Sequence, residues 1–456
     1  MPNELALPTA WTTILQVEKS PVPLAGLVAT QVSPAQLKIA PPATTLVGAA
    51  SAEASLTMTG SAARAGVDRA AIAAAAVAAS PLFMGAAMFF GTTVVDQLIW
   101  IAVLLLVARA LRIATVPAWL AAGVVAGIGM ETKQTVALLF IGIAVGLLMF
   151  GRDALRTPGP WLAAATTAAL AAPNLIWNAQ HGWPSLAFAR AMAVRMGGPL
   201  GSLTQLPLLL VLYAGPLLVA LYVIGARQAV ADEGRDDRWI LVVPAVVLVL
   251  CVATGGRCYY AGPALAALFA AGAVRIETKT AGRPSPGWAV ALAASFLGAV
   301  VFCLPVLPPA TETALRQVNP IPLETYGWPE FVDQVAAAAA SLPEDVPIFT
   351  SNYGEASALR ILGPAAGINR PVVSGDSSYA QWGPPAGDAG TVLCVGRFPV
   401  RVWSQYWRHV AYVDSIRFPS GVRNGESAAK IFRCEQPLGS WAAMWPRMRH
   451  SSGVSY

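Results

Sequence analysis

Nine apolar runs set the pattern of the middle of the chain. They cover residues 69–89, 92–111, 116–131, 134–150, 159–177, 202–226, 239–254, 259–275 and 286–308, and Gly, Pro or charged residues punctuate them. A helix needs about 20 apolar residues to cross a bilayer core of roughly 30 Å. The pattern therefore predicts about nine spans, of which 116–131, 239–254 and 259–275 are short. After Pro308 the pattern changes. Trp328–Leu342 reads as a helix with a proline in its first turn. Val346–Ser351, Val372–Ser374, Thr391–Gly396 and Lys430–Cys434 read as strands, and Glu355–Leu362 and Val400–Trp407 as helices. Strand–helix–strand alternation predicts a small α/β domain. Residues 1–67 are rich in Ala, Thr, Ser and Pro, and no run there is long enough to span. No basic segment precedes an apolar stretch as in a signal peptide. The expected fold class is a polytopic α-helical membrane protein, with a poorly determined segment 1–67, a transmembrane domain 68–308 and an α/β domain 309–456.

Composition agrees with this picture. Of the 456 residues, 56% are hydrophobic and 12% charged, against roughly 25% charged in soluble proteins, and the mean hydropathy is +0.58. These values exclude a soluble enzyme, a disordered chain and a disulfide-dense secreted scaffold. The net charge of +6 comes from short loops rather than from a dense Lys/Arg run, so nucleic acid is not an expected partner. One set of loops holds ten basic residues: Arg109, Arg112, Arg152, Arg156, Arg227, Arg235, Arg238, Arg275, Lys279 and Arg283. The alternate set holds four: Lys133, Arg190, Arg195 and Arg257. The positive-inside rule places the first set in the cytoplasm. The N-terminus is then cytoplasmic, and the C-terminal domain lies outside a multi-pass plasma membrane protein.

Ionisable residues in a membrane domain are costly and draw attention as sites. Four places stand out, all on the predicted outer side. Asp96 follows Thr92 and Thr93 and is either a carboxylate near a capped helix start or a site residue. Lys133 sits in a tight loop after Glu131, which reads as a solvated turn or as a cation for an anionic group. Residues 173–184 gather Asn174, Asn178, His181, Trp177 and Trp183, either as an interfacial belt or as binders of sugar hydroxyls. Gly255 to Pro263 presents Arg257, Tyr259 and Tyr260 as a turn or as a phosphate-binding fork. In the C-terminal domain, Asn352 and Glu355 follow a predicted strand, where α/β units bind ligands, although Asn352 also reads as a helix cap. Cys394 and Cys434 lie in two predicted strands and are either bridged, closing a loop of about 40 residues, or simply buried. His181, His409 and His450 are scattered, and no cofactor or metal cluster is evident.

The order of these motifs carries a resemblance. "SPLF", "TT" and Asp96, Gly127/Gly129/Lys133, "APNLIWNAQHGWP", "GGRCYYAGP", "ETYGWPEFVDQV", "SNYGEASAL" and "SGDSSYAQWGPP" together resemble bacterial glycosyltransferase family 39. These are relatives of the protein O-mannosyltransferases and of the lipid A aminoarabinose transferase. The resemblance covers residues 62–450. It implies a GT-C fold and a polyprenyl-phosphate-linked sugar donor. It also implies inverting transfer to an acceptor outside the membrane. Lys133 and Arg257 would then hold the phosphate, and Asn178, His181, Tyr259, Tyr260, Asn352 and Glu355 are the remaining candidates for substrate binding. The family's base lies in a first outer loop that residues 1–61 do not display. The resemblance thus implies slow or absent turnover, with Asp96 as the candidate catalytic carboxylate. A non-catalytic envelope protein and a transporter are the rival readings.

Overall fold

The computed structural model describes residues 66–89, 91–231, 238–280, 286–316, 319–418 and 422–450. The segment 1–67 lies outside the described residues except for its last two, and Arg235 and Arg283 lie outside them as well.

The apolar runs become helices: Gly66–Ala78, Pro81–Ala87, Thr92–Ile113, Val116–Thr132, Val136–Phe150, Pro158–Gln180, Trp239–Thr254, Gly262–Thr280 and Pro286–Cys303. Two runs expected as single spans are broken, each at a proline. The first stops at Ser80 before Pro81, whose missing N–H suits a helix start. The second, 202–226, passes through a π-helical turn at Leu208–Tyr213 after Pro207. It ends at Gly215, whose φ of 106° is open only to glycine, and Pro216 restarts the chain toward the Val219–Val230 helix. A further helix, Pro184–Arg195, meets Gly198–Tyr213 at 73°. Three described helices are long and apolar enough to cross a membrane alone: Thr92–Ile113, Cys258–Lys279 with its opening 3-10 turn, and Pro286–Cys303. The bent pair makes a fourth if counted as one span, and the helices at Val116–Thr132, Val136–Phe150, Pro216–Val230 and Trp239–Thr254 are shorter.

Small residues let these helices touch. A Cβ on Gly225 would collide with the carbonyl of Leu268, and one on Gly272 with that of Leu221. The two backbones therefore cross in direct contact, the usual device where lipid removes the hydrophobic drive for packing.

The C-terminal part carries a five-stranded sheet in the order β2-β1-β3-β5-β4. The strands are β1 (Ile348–Thr350), β2 (Val372–Ser374), β3 (Val392–Gly396), β4 (Trp407–Ser415) and β5 (Lys430–Pro437). β1 is parallel to β2 and β3, while β5 runs antiparallel to β3 and β4. Side chains alternate between the faces. Ile348, Leu393, Val395 and Ile431 face a core with Phe331, Val335 and Leu359. Phe349, Val392, Cys394, Phe432 and Cys434 face a second core of Trp403, Trp407, Trp441 and Trp445. Cys394 and Cys434 form a disulfide with Cα atoms 6.3 Å apart, which resolves the sequence alternative in favour of the bridge. The expected helix over Val400–Trp407 is only a turn at Val400–Trp403, and Trp407 opens β4.

Candidate functional site

Asp96 lies in the second turn of the Thr92–Ile113 helix and is 3% exposed. The expected alternative of a carboxylate at a Thr-capped helix start does not form. The N-cap is Gly91, without a side-chain cap. Asp96 is held from both sides. Trp100, one turn on, donates its indole N–H to Oδ1 at 3.0 Å, and Thr135 donates its hydroxyl to Oδ2 at 2.9 Å. Lys133 Nζ stands 3.7 Å from Oδ2. The same ammonium donates to Thr93 Oγ1 at 3.2 Å and lies 4.8 Å from the Tyr260 ring centroid. A cation over a ring face is favoured by the ring quadrupole.

Tyr260 packs edge-on to Tyr259 at 4.6 Å, and Arg257 lies 6.0 Å from the Tyr259 ring. The two cations thus bracket a pair of tyrosines. They differ in one respect. Lys133 has a carboxylate partner, whereas Arg257 has none among the described residues, and its guanidinium lies 6.0 Å from the Tyr259 ring and 3.4 Å from Met192 Sδ. Its Nε is buried without a hydrogen-bond acceptor. The glycines before it fix the turn. Gly255 has φ +70° and packs on Gly198, and the Gly256 carbonyl accepts from Ser202 Oγ at 2.6 Å.

An amide row lies at the same end of the bundle. Gln134 Nε2 and Asn178 Nδ2 each donate to Asn174 Oδ1 at 2.9 Å, and the Asn174 N–H donates to Glu131 at 3.3 Å. Asn178 is buried and Asn174 half-buried. His181 ends the Pro158–Gln180 helix, stacks on Trp177 at 4.2 Å, and places Nδ1 2.7 Å from the Trp177 carbonyl. The sequence segments around Asp96, Lys133, Asn174 and Arg257 therefore meet through contacts, while those of His181 stay local. Sequence reasoning did not single out Trp100, Gln134 or Thr135. The i,i+4 spacing of Asp96 and Trp100 is a signal that was available. Gln134 and Thr135, directly after Lys133, were overshadowed by the charge.

Asn352 and Glu355 are elsewhere. Asn352 Oδ1 accepts the Glu355 N–H at 2.9 Å and Glu355 Oε2 accepts the Asn352 N–H at 3.1 Å, a complete capping box. Ser351 also donates to Glu355 Oε2 at 3.0 Å, and Asn352 Nδ2 donates to Glu426 at 3.1 Å. All these bonds stay within the C-terminal domain. Glu355 is fully buried, and its Oε1 and the Oε2 of Glu426 have no donor. Burial first, and then the adjacent Glu426, push the Glu355 carboxyl well above its usual range. Among the described residues no three His, Cys, Asp or Glu side chains gather as metal ligands.

Residues 61–177 match the family model described as dolichyl-phosphate-mannose-protein mannosyltransferase. The resemblance to the GT-C glycosyltransferases is borne out over that stretch, which contains Asp96, Lys133 and Asn174. It supports an integral membrane protein of the glycosyltransferase kind. Among solved structures, the crystal structure of ArnT from Cupriavidus metallidurans in the apo state is similar to this chain at a TM-score of 0.47 and 13% identity, over 86% of this chain and 82% of that one. No curated protein matches.

Proposed function

We propose that this chain is a membrane glycosyltransferase that takes a polyprenyl-phosphate-linked sugar at the extracytoplasmic face and passes the sugar to an acceptor there. The excess of basic residues in the first set of loops, ten against four, supports that orientation. In such a transfer the acceptor oxygen bonds to the anomeric carbon as the bond from that carbon to the phosphate oxygen breaks. The acceptor proton leaves to a base, and negative charge builds on the departing phosphate. Electrostatic donors aimed at that charge give the largest rate effect.

Arg257 carries this reading. Its guanidinium fork has no carboxylate partner among the described residues and one buried nitrogen with no acceptor. A phosphate oxygen supplies what it lacks. Lys133, across the two tyrosines, is the second cation. Asp96 has both oxygens occupied and acts by positioning Lys133. Asn174, Asn178 and Gln134 offer amides to sugar hydroxyls, with His181 and Trp177 at their edge. Asn352 and Glu355 serve the architecture of the C-terminal domain.

The test is turnover of a labelled polyprenyl-phosphate sugar by the purified chain in detergent. Arg257→Ala should lower the rate about 10²–10³-fold, as loss of one preorganised donor does. Arg257→Lys should recover part of it, since it restores charge without the fork. Equal turnover by wild type and Arg257→Ala would overturn the assignment.

A further inference from the structure

The C-terminal domain holds a cavity of about 390 Å³ beside the edge strand β2, and none of its lining residues belongs to the Lys133–Arg257 group. Its floor is aliphatic, with Leu359, Ile368 and Val372, and its wall carries Tyr379 and Trp382. Two guanidinium groups line it, Arg360 and Arg370, and no carboxylate does. That volume is in the range of small-molecule sites, which combine apolar walls with a few placed polar groups.

The aromatic wall is built and held. Tyr379 shares a hydrogen bond with Ser357 at 2.9 Å, and the Ala380 carbonyl accepts the Trp445 indole N–H at 2.9 Å. Tyr379 and Trp382 pack on each other at 4.4 Å. Arg360 lies 5.1 Å from the Trp382 ring and 5.9 Å from the Tyr379 ring. The rings orient the guanidinium without neutralising it. Arg370 is fixed by carbonyls, donating to Pro343 at 3.0 Å and to Val346 and Leu342 at 3.4 Å, and among the described residues no acid offsets its charge. Trp382 remains 64% exposed, so an indole face is open to a ligand.

These features select a ligand with one flat apolar face and one planar anionic group. Inorganic phosphate would use the charges and leave the indole and the aliphatic floor idle. An extended peptide adding to the sheet is disfavoured by the edge itself. β2 is three residues long, follows Pro371, which has no N–H, and is succeeded by the bridge from Asp376 to His450. Too little free ladder remains for strand addition. A pyranose bearing a carboxylate meets each requirement. Its C–H face covers Trp382, its hydroxyls reach the outward backbone groups of β2, and its carboxylate takes the Arg360 fork.

We propose that the Arg360–Tyr379–Trp382 cavity is a binding site for an acidic saccharide of the uronic acid class. The site stands on its own residues and does not depend on the transferase reading. Ligand-observed NMR and calorimetry on the full chain in detergent would test it with a glucuronate-containing disaccharide. The expected result is saturable binding with a dissociation constant of about 1 mM or tighter. Trp382→Ala and Arg360→Ala should each weaken it about tenfold, and the neutral glucose analogue should bind about tenfold more weakly than the acid. Both side chains are exposed, and an unchanged melting temperature would show that the variants fold. Arg257→Ala should leave the affinity as it is. Absence of saturable binding, equal affinity for the neutral sugar, full competition by equimolar inorganic phosphate or by an extended peptide, or affinity insensitive to both substitutions would each overturn the proposal.

Discussion

Asp96 and Glu355 are both buried carboxylates placed just after a helix start, and the protein accommodates them in opposite ways. Asp96 is offset by a cation, an indole and a hydroxyl. Glu355 takes two donors on one oxygen, while its other oxygen has no donor and Glu426 lies within hydrogen-bonding reach. A buried ionised carboxylate is tolerated when paired, whereas two adjacent carboxyls settle the conflict by keeping a proton. The helical bundle therefore holds its buried carboxylate in an ion pair, whereas the sheet domain holds Glu355 with its pKa raised by burial and by the neighbouring Glu426. Removing the charge should have opposite effects at the two places.

The largest effect is expected at the ion pair. Lys133→Met leaves Asp96 buried without its cation and should cost about 3 kcal/mol. Asp96→Asn should cost less, since Lys133 keeps some exposure to water. The double variant Asp96→Asn/Lys133→Met should recover most of the loss. Chemical unfolding of the four proteins in one detergent, read as a double-mutant cycle, measures the coupling. Strictly additive losses would show that the two charges do not sense each other, and the contrast with Glu355 would fail.

The contrast also explains what the sequence could and could not reveal. Apolar runs announced the helices because a bilayer solvent demands long uninterrupted apolar faces. The charges that interrupt them, Asp96, Lys133 and Arg257, stood out for the same reason. Their mutual placement was not legible, because Lys133 meets Asp96 across 37 positions and Tyr260 across 127. The break at Gly215 was hidden inside an apolar run, since a π turn and a positive-φ glycine leave hydropathy unchanged. In the sheet domain, β1 and β3 were readable as short apolar runs because both faces are buried. β4 was missed. It is an edge strand with most of its residues exposed or half-buried, so Trp407-Arg408-His409 carries no clean alternation. The Glu355–Glu426 pairing, 71 positions apart, had no local signature.

A middle-sized effect should appear in the pH dependence of the sheet domain. Burial, and then Glu426, raise the folded pKa of Glu355 above its ordinary value of 4.5. Glu324, whose carboxylate accepts the Gly425 N–H, is raised too, by burial ahead of Glu426. A raised acid binds its proton more tightly in the folded than in the unfolded state. Stability is then greatest below the ordinary glutamate value and falls as pH rises from there through the folded pKa. One such group gives a slope of at most about 1.4 kcal/mol per pH unit. Glu355→Gln keeps an acceptor for the Asn352 N–H and removes the titration. It should raise the melting temperature of the sheet domain at pH 8, leave it nearly unchanged at pH 5, and flatten the profile. A stability that rises with pH in wild type, or a Gln variant weaker at pH 8, would break the reading of a raised Glu355.

The smallest effect concerns Asn352, which links the helix cap to the carboxyl pair. Its Oδ1 caps the Tyr353–Leu362 helix, and its Nδ2 donates to Glu426. Asn352→Ala removes both and should cost about 1 kcal/mol, the usual worth of an N-cap. Asn352→Asp separates the two roles. Aspartate caps as well as asparagine, but it turns the donor facing Glu426 into an oxygen of a third carboxylate. If the cap alone matters, Asp should be neutral at every pH. If the amide also holds apart the charges of Glu355 and Glu426, Asp should be close to wild type at pH 5 and should lose at least as much as Ala at pH 8, where ionisation of the cluster is most strongly opposed. Melting curves of the three proteins at the two pH values decide between these outcomes. An Asp variant that matches wild type at pH 8 would confine Asn352 to capping and leave Glu355 and Glu426 as an isolated pair.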